Sequence, residues 1–157
     1  MKITLLSVGK TEMPFVKQGL ETFTKRIKHY AKFNTHEIVP PKQKGKIPPQ
    51  QQQENEAAQI LKQIPAGAQV VLLDENGKAM ASKEFSAYLQ KHMNRSTKDL
   101  VFVIGGPYGF HPDIKKQAQD MISLSRMTFS HQLIRLIFAE QLYRAFTILK
   151  NEPYHND

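Results

Sequence analysis

Apolar and polar positions along the chain alternate between two rhythms, short continuous runs and stripes of helical period. Lys2 to Val8 is an apolar, β-rich run stopped at Gly9, and it reads as a buried strand. From Pro14 the apolar residues Val16, Leu20, Phe23, Ile27 and Tyr30 recur at intervals of four, three, four and three, which is one stripe of a helix. Lys17, Glu21, Lys25, Lys28 and Lys32 fall on another face, so that helix is expected to carry a basic strip at Lys25, Lys28 and Lys32 over its last two turns, beside its negative dipole end. Asn34 to Val39 predicts a second strand, cut off by Pro40 and Pro41. Residues 40–49 are basic, rich in helix and strand breakers and without an apolar pattern, and so read as a flexible loop. Four glutamines, Gln50 to Gln53, then lead into Ala57, Ile60, Leu61 and Ile64 at helical spacing, with Pro48 and Pro49 opening the helix and Pro65 closing it.

Beyond Pro65 the order is regular. It gives a strand at Gln69–Asp74, a turn at Glu75–Lys78, a helix from Lys83 to Arg95, a strand at Asp99–Ile104, a glycine-rich turn and a short helix opened by Pro112. An apolar piece at Met121–Ser125, a turn at Arg126–Ser130 and a last helix from His131 to Leu149 complete the chain. Strands alternating with helices predict an α/β fold, a Rossmann-like, mostly parallel sheet with helices packed on it. In such sheets ligands sit beyond the carboxyl ends of strands, where loops and helix N-termini converge. Three ends therefore matter: Leu73-Asp74, Ile104-Gly105 and the turn after Ser125.

The second of these is the strongest local signal. Gly105 and Gly106 follow an apolar strand and allow backbone to approach a ligand that a Cβ would block. The glycines at 105, 106 and 109 do not match the dinucleotide fingerprint, and Gly9-Lys10-Thr11 lacks the earlier glycine of a phosphate loop, so neither NAD nor ATP use is supported.

The last helix is apolar nearly all the way round, and one sheet face in so small a chain can cover only one side of it. A two-fold homodimer through residues 131–149 is expected, the other solution being cover by neighbouring helices. Within it Glu140 and Arg144 stand four apart. Two readings are open: a simple pair, or Arg135 and Arg144 turned toward a ligand.

Composition narrows the picture. At 157 residues a single domain, 1–157, buries roughly 70% of the surface an unfolded chain exposes and needs no staple. Absence of cysteine excludes thiolate catalysis and thiolate-held metals, and no metal site is expected. The first ten residues are too short an apolar run for a leader or membrane span, so the expectation is a soluble, cytoplasmic protein with no membrane role. Net charge is +8, and it is lopsided: residues 1–46 hold ten basic and three acidic side chains, whereas the remaining 111 residues sum to +1. A basic half facing RNA and a merely solvated basic surface are equally compatible with that asymmetry. On the first reading Lys25, Lys28 and Lys32, with Lys42, Lys44 and Lys46 of the loop, contact RNA phosphates.

Six pieces, Lys2–Gly9, Val103–Gly109, Leu124–Phe129, His131–Arg135, Glu140–Phe146 and Pro153–His155, resemble in the same order those of the RlmH family. That family comprises small SPOUT-class methyltransferases acting on N3 of a pseudouridine in 23S ribosomal RNA. The resemblance spans almost the whole chain and implies a C-terminal trefoil knot, helices on both sheet faces, S-adenosylmethionine as cofactor and a site made by two subunits. It places the cofactor against Leu73, Gly105, Leu124, Ser125, Arg126, Met127, Thr128 and Phe129, on the strand ends already singled out. It also makes His155, Tyr154 and Arg144 the catalytic candidates, since removal of the N3 proton calls for a positive charge or a base of near-neutral pKa. Ser130 stands where many relatives of that family carry proline, and Asn156 where a basic residue is common. The implied substrate is 23S rRNA, on the assembled ribosome because so small a protein cannot read a long RNA sequence. A competing class is a non-catalytic RNA- or ribosome-binding protein using the same basic half.

Overall fold

A computed structural model describes residues 1–41 and 45–154. Lys42 and Lys44 of the expected RNA-binding loop, and His155, lie outside the described residues. The elements are β1 (Lys2–Val8), α1 (Pro14–Ile27), β2 (Lys32–Ile38), α2 (Pro49–Gln63), β3 (Gln69–Ala79), α3 (Ser82–Asn94), β4 (Asp99–Ile104), α4 (Pro112–Gln117), β5 (Asp120–Ser123) and α5 (Leu133–Leu149). The five strands form one sheet in the order β2-β1-β4-β3-β5, every neighbouring pair parallel.

Alternation along the buried strands divides the core in two. Ile3, Leu5, Val71, Leu73, Leu100, Phe102 and Ile104 face one side, where α1, α3 and α5 supply Ile27, Phe85, Leu89, Phe138 and Leu142. Leu6, Val8, Val70, Leu72, Val101 and Val103 face the other, against Ala57 and Ile60 of α2 and Ile114 of α4. β2 lies at an edge and buries only Phe33 and Ile38 of its seven residues, which is why its sequence is mostly polar.

Several expected boundaries move. β2 runs Lys32–Ile38 and not Asn34–Val39, β5 ends at Ser123 and not Ser125, and α3 is shifted by one residue. Three further differences have clear causes. α1 stops at Ile27, and neither Tyr30 nor Lys32 is helical; Lys32 opens β2 opposite Lys2. The chain must straighten there because Phe33 inserts into the core at 1% exposure, and the basic strip is therefore broken between a helix end and a strand. The turn at Glu75–Lys78 interrupts β3 without ending it. Ile122 pairs with both Leu73 and Lys78, and Asp74 Oδ1 accepts from Asn76 N and Nδ2 at 2.9 Å in the excursion between them. α5 begins at Leu133 and leaves His131 in the preceding turn, where Ser130 Oγ accepts from Leu133 N at 3.1 Å. A serine at position 130 thus ties a turn that proline would stiffen.

No α5 residue is exposed, because α1 and α3 flank it. Leu136 occupies the space a side chain at Gly19 would fill, and Ser86 Oγ donates to the Ala145 carbonyl at 3.1 Å. Leu133, Ile137, Glu140, Arg144 and Ile148 form the half-buried outward strip. Among the described residues no helix is long and apolar enough to cross a membrane.

Candidate active site

The carboxyl ends of β3, β4 and β5, three adjacent strands, open onto a cavity of about 640 Å³. Leu73 closes its floor from β3, with Ile104 and Gly105 beside it from β4. The chain leaving β5 supplies Leu124, Ser125, Met127, Thr128 and Phe129. Arg126 is exposed and does not line the cavity, unlike the other seven residues expected there.

Each wall is held by local chemistry. Ser123 Oγ donates to the Ser125 carbonyl at 2.7 Å, and Ser125 Oγ accepts from Met127 N at 2.9 Å, which bends the segment out of the strand. Thr128 Oγ1 donates to Glu75 Oε2 at 2.9 Å and links this segment to the β3 excursion. Gly106-Pro107-Tyr108-Gly109 is a tight turn, closed by Gly109 N donating to the Gly106 carbonyl at 3.2 Å, with Gly109 at φ 76°. Glu75, Asn76, Tyr108, Lys115 and Ile134 also line the cavity and are not expected there from sequence, and His131, read from sequence only as a first-turn helix residue, lines it too. Glu75 and Asn76 sit on the β3 excursion, Tyr108 on the glycine-rich turn, Lys115 on α4, and His131 and Ile134 at the approach to α5; their convergence on one cavity comes from the packing of these segments.

Arg135 is fully buried and serves the scaffold; its guanidinium is not turned toward a ligand. It donates to the Val8 carbonyl at 2.8 Å, the Gly9 carbonyl at 3.1 Å and Thr11 Oγ1 at 2.8 Å, and Nε donates to the His131 carbonyl at 3.0 Å. Gln132 completes the joint: Nε2 donates to the Lys10 carbonyl and Oε1 accepts from Glu12 N, both at 2.8 Å. The turn carrying His131 is therefore fixed to the end of β1.

The catalytic candidates form a second cluster. Arg144 donates to Glu140 Oε1 from Nη2 at 2.5 Å and Nε at 3.1 Å, so these two residues do pair. The guanidinium also lies 4.8 Å from the centre of the Tyr154 ring, and Tyr154 Oη donates to Glu140 Oε1 at 3.2 Å. Burial, then the charge of Glu140 and its hydrogen bond, raises the Tyr154 phenol above its ordinary value. Tyr30 Oη donates to Glu152 in a short hydrogen bond, and Tyr154 packs on Tyr143 with ring centres 4.7 Å apart, which anchors the tail along α5. Ile134 is the last α5 residue on the cavity wall, and Arg144 follows ten residues later, about 15 Å along the axis. Within one protomer the cavity and the Arg144–Tyr154 cluster are separate.

The lysines divide in the same way. Lys25, Lys28 and Lys32 are exposed around the end of α1 and the start of β2, at the amino edge of the sheet. Lys46 is on the carboxyl side, lining a hollow of about 500 Å³ that shares Tyr108 with the main cavity. Among the described residues no group of three or more acidic or histidine side chains is arranged to hold a metal.

A family model described as predicted SPOUT methyltransferase matches residues 1–155. The chain belongs to the SPOUT methyltransferase family. Similar proteins within it include the ribosomal RNA large subunit methyltransferase H of Porphyromonas gingivalis, 50% identical with 100% of both chains covered. Proteins of the same name from Christiangramia forsetii and Flavobacterium johnsoniae are each 51% identical, with 99% of both chains covered. The all-parallel α/β sheet and the cavity beyond adjacent strand ends are the setting in which this SPOUT chain carries its candidate residues.

Proposed function

We propose that the protein transfers a methyl group from S-adenosylmethionine to N3 of a pseudouridine in 23S ribosomal RNA, on the assembled ribosome, as a cytoplasmic homodimer. The observation that carries the reading is the single cavity built by the ends of β3, β4 and β5, in a chain about half identical over its whole length to ribosomal RNA large subunit methyltransferases H.

The cavity has the chemistry for that cofactor. Leu73, Leu124 and Ile104 give apolar surface for a base, and the backbone of 124–129, outside the strand ladder, offers amides to donate to ring nitrogens and carbonyls to accept from an exocyclic amine. Gly105 lines the cavity, and its missing side chain lets the Phe110 ring pack close behind it, since a Cβ there would meet that ring at 3.1 Å. The bound sulfonium supplies an activated methyl; the chain's part is to align the acceptor in line with it and take the N3 proton. A phenol raised above its usual value keeps its proton at neutral pH, so Tyr154 serves as a hydrogen-bond donor beside the Arg144 charge. His155, the next residue, is the group we assign to accept the proton.

Two subunits reconcile the two clusters. A two-fold axis crossing the outward strip of α5 at right angles sets the helices antiparallel, so the amino edge of one protomer meets the carboxyl edge of the other. That arrangement supports bringing Arg144, Tyr154, His155 and the lysines 25, 28 and 32 of one copy to the cavity of its partner. Threading of the C-terminal part through a knot is what the resemblance to the family implies.

Mass mapping of 23S rRNA from cells lacking the protein tests the reading: one methyl is expected to disappear from a pseudouridine and return on complementation. An unchanged map refutes it. Methylation in vitro is expected on intact ribosomes and not on free 23S RNA, and equal rates on both would remove the ribosome from the proposal.

A further inference from the structure

Glu56 is a buried carboxylate that the transfer chemistry above does not use. It sits on α2 at 3% exposure, and its hydrogen-bond donor among the described residues is Gln52 Nε2 at 3.0 Å. It takes part in none of the ion pairs formed among those residues. It also lines, with Lys46, the hollow beside the main cavity. A carboxylate so nearly withdrawn from water, with no ion pair among the described residues, is costly and calls for a reason.

Its position supplies one. A Cβ placed on Gly106 would stand 2.5 Å from both Oε1 and Oε2 of Glu56, so the carboxylate lies flat against the bare Cα of that glycine. Gly106 in turn lines the donor cavity, and Gln53, one helix position after Gln52, donates in a short hydrogen bond to the Tyr108 carbonyl of the same turn. The start of α2, a glutamine run with no evident purpose in the sequence, is thus the back-plate of the Gly105–Gly109 turn. The charge behind that plate differs from the acids on the opposite wall. Asp74 is half-buried and Glu75 exposed, so solvent screens them more than it screens Glu56, which is buried.

We infer that Glu56 is a specificity-determining positioning residue: through Gly106 it presents negative charge to the donor cavity and so favours the cationic sulfonium donor over the neutral thioether product. The inference rests on the proposed use of S-adenosylmethionine. Its consequence is a pocket that holds the charged donor and releases S-adenosylhomocysteine once the positive charge has left with the methyl and the N3 proton.

The test is calorimetric binding of S-adenosylmethionine and of S-adenosylhomocysteine to the wild-type chain and to Glu56→Gln, which keeps the shape of the side chain and removes its charge. Glu56→Gln is expected to weaken the sulfonium about tenfold, the scale of a unit charge acting across roughly 10 Å of protein at an effective dielectric constant of about 20, and to change the neutral thioether by less than about twofold. Equal weakening of both ligands, or of neither, overturns the inference. Should Glu56→Gln fail to fold, the readout becomes wild-type preference for sinefungin, which carries an amine-bearing carbon in place of sulfur, over S-adenosylhomocysteine; equal affinities then overturn it. If the wild-type chain binds neither S-adenosylmethionine nor S-adenosylhomocysteine, the cofactor reading itself has failed, which is a distinct outcome.

Discussion

The Arg135 guanidinium donates to the Val8 carbonyl at 2.8 Å across 127 residues of chain, and so joins the start of the last helix to the end of the first strand. The side chain is wholly buried, and Glu37 Oε1 lies 3.9 Å away as its nearest carboxylate. Replacing it leaves the carbonyls of Val8 and Gly9 without their donor inside the protein. Arg135→Met is expected to destabilise the fold by about 3 kcal/mol in urea unfolding. A cost below about 1 kcal/mol would mean that water replaces the guanidinium.

The same joint sets a pH dependence. Burial pulls the Glu37 carboxyl upward, but hydrogen bonds from the Thr11 hydroxyl and amide, with the charges of Arg135 and Lys17, outweigh it and hold the group below its ordinary value. A carboxyl lowered in the folded state adds stability that is present above its unfolded pKa, near 4.3, and is lost as pH falls through the folded value. Urea midpoints measured from pH 6 down to pH 3 are expected to fall less steeply in Glu37→Gln than in the wild type.

His92 acts at milder pH. It is buried between Tyr88, with ring centres 4.7 Å apart, and Thr97 Oγ1, 3.2 Å from Nδ1. Burial lowers its pKa; Asp120 works against that, while Arg95 and Lys91 add to it. The unfolded chain therefore takes up the proton first, and stability present above about pH 6.5 declines as pH falls below it. Melting temperature is expected to drop between pH 7.5 and pH 5.5, and His92→Gln should flatten that part of the profile.

Gly77 marks where the β3 excursion returns to the sheet. A Cβ there would stand 2.6 Å from the backbone N and C of Ile122, and backbone cannot swing aside as a side-chain tip can. Gly77→Ala is expected to cost about 3 kcal/mol of stability and to weaken S-adenosylhomocysteine binding, because the displaced excursion carries Glu75 and its bond to Thr128. Denaturation and calorimetry on the same sample check both.

The dimer and the tail are separable by two variants. Ile137→Asp, on the outward strip of α5, is expected to give monomers by light scattering, to keep cofactor binding and to lose methyl transfer. Deletion of residues 153–157 is expected to leave the dimer and cofactor binding intact and likewise to abolish transfer. Full activity in the truncated chain would remove Tyr154 and His155 from the mechanism.

The order of elements was legible because apolar spacing records which face of each strand or helix leaves water, and β1, α2, β4 and α4 stand where their runs and prolines put them. The strand ends that line the cavity followed from the same reading, since a parallel sheet gathers its carboxyl ends on one edge. What local pattern cannot carry is a choice made by distant contacts. Phe33 ends the first helix by needing the core, Ile122 draws Lys78 back into β3, and Arg135, equally eligible as a ligand contact, is claimed by the end of β1. Glu56 and Gly106 are fifty residues apart, and neither announces the other; only the packing of α2 beneath the glycine turn joins them. Sequence determines which surfaces are buried, and tertiary structure decides which buried polar groups meet, because hydrogen bonds and charges act over a few ångströms between segments whose separation along the chain is unrelated to their separation in space.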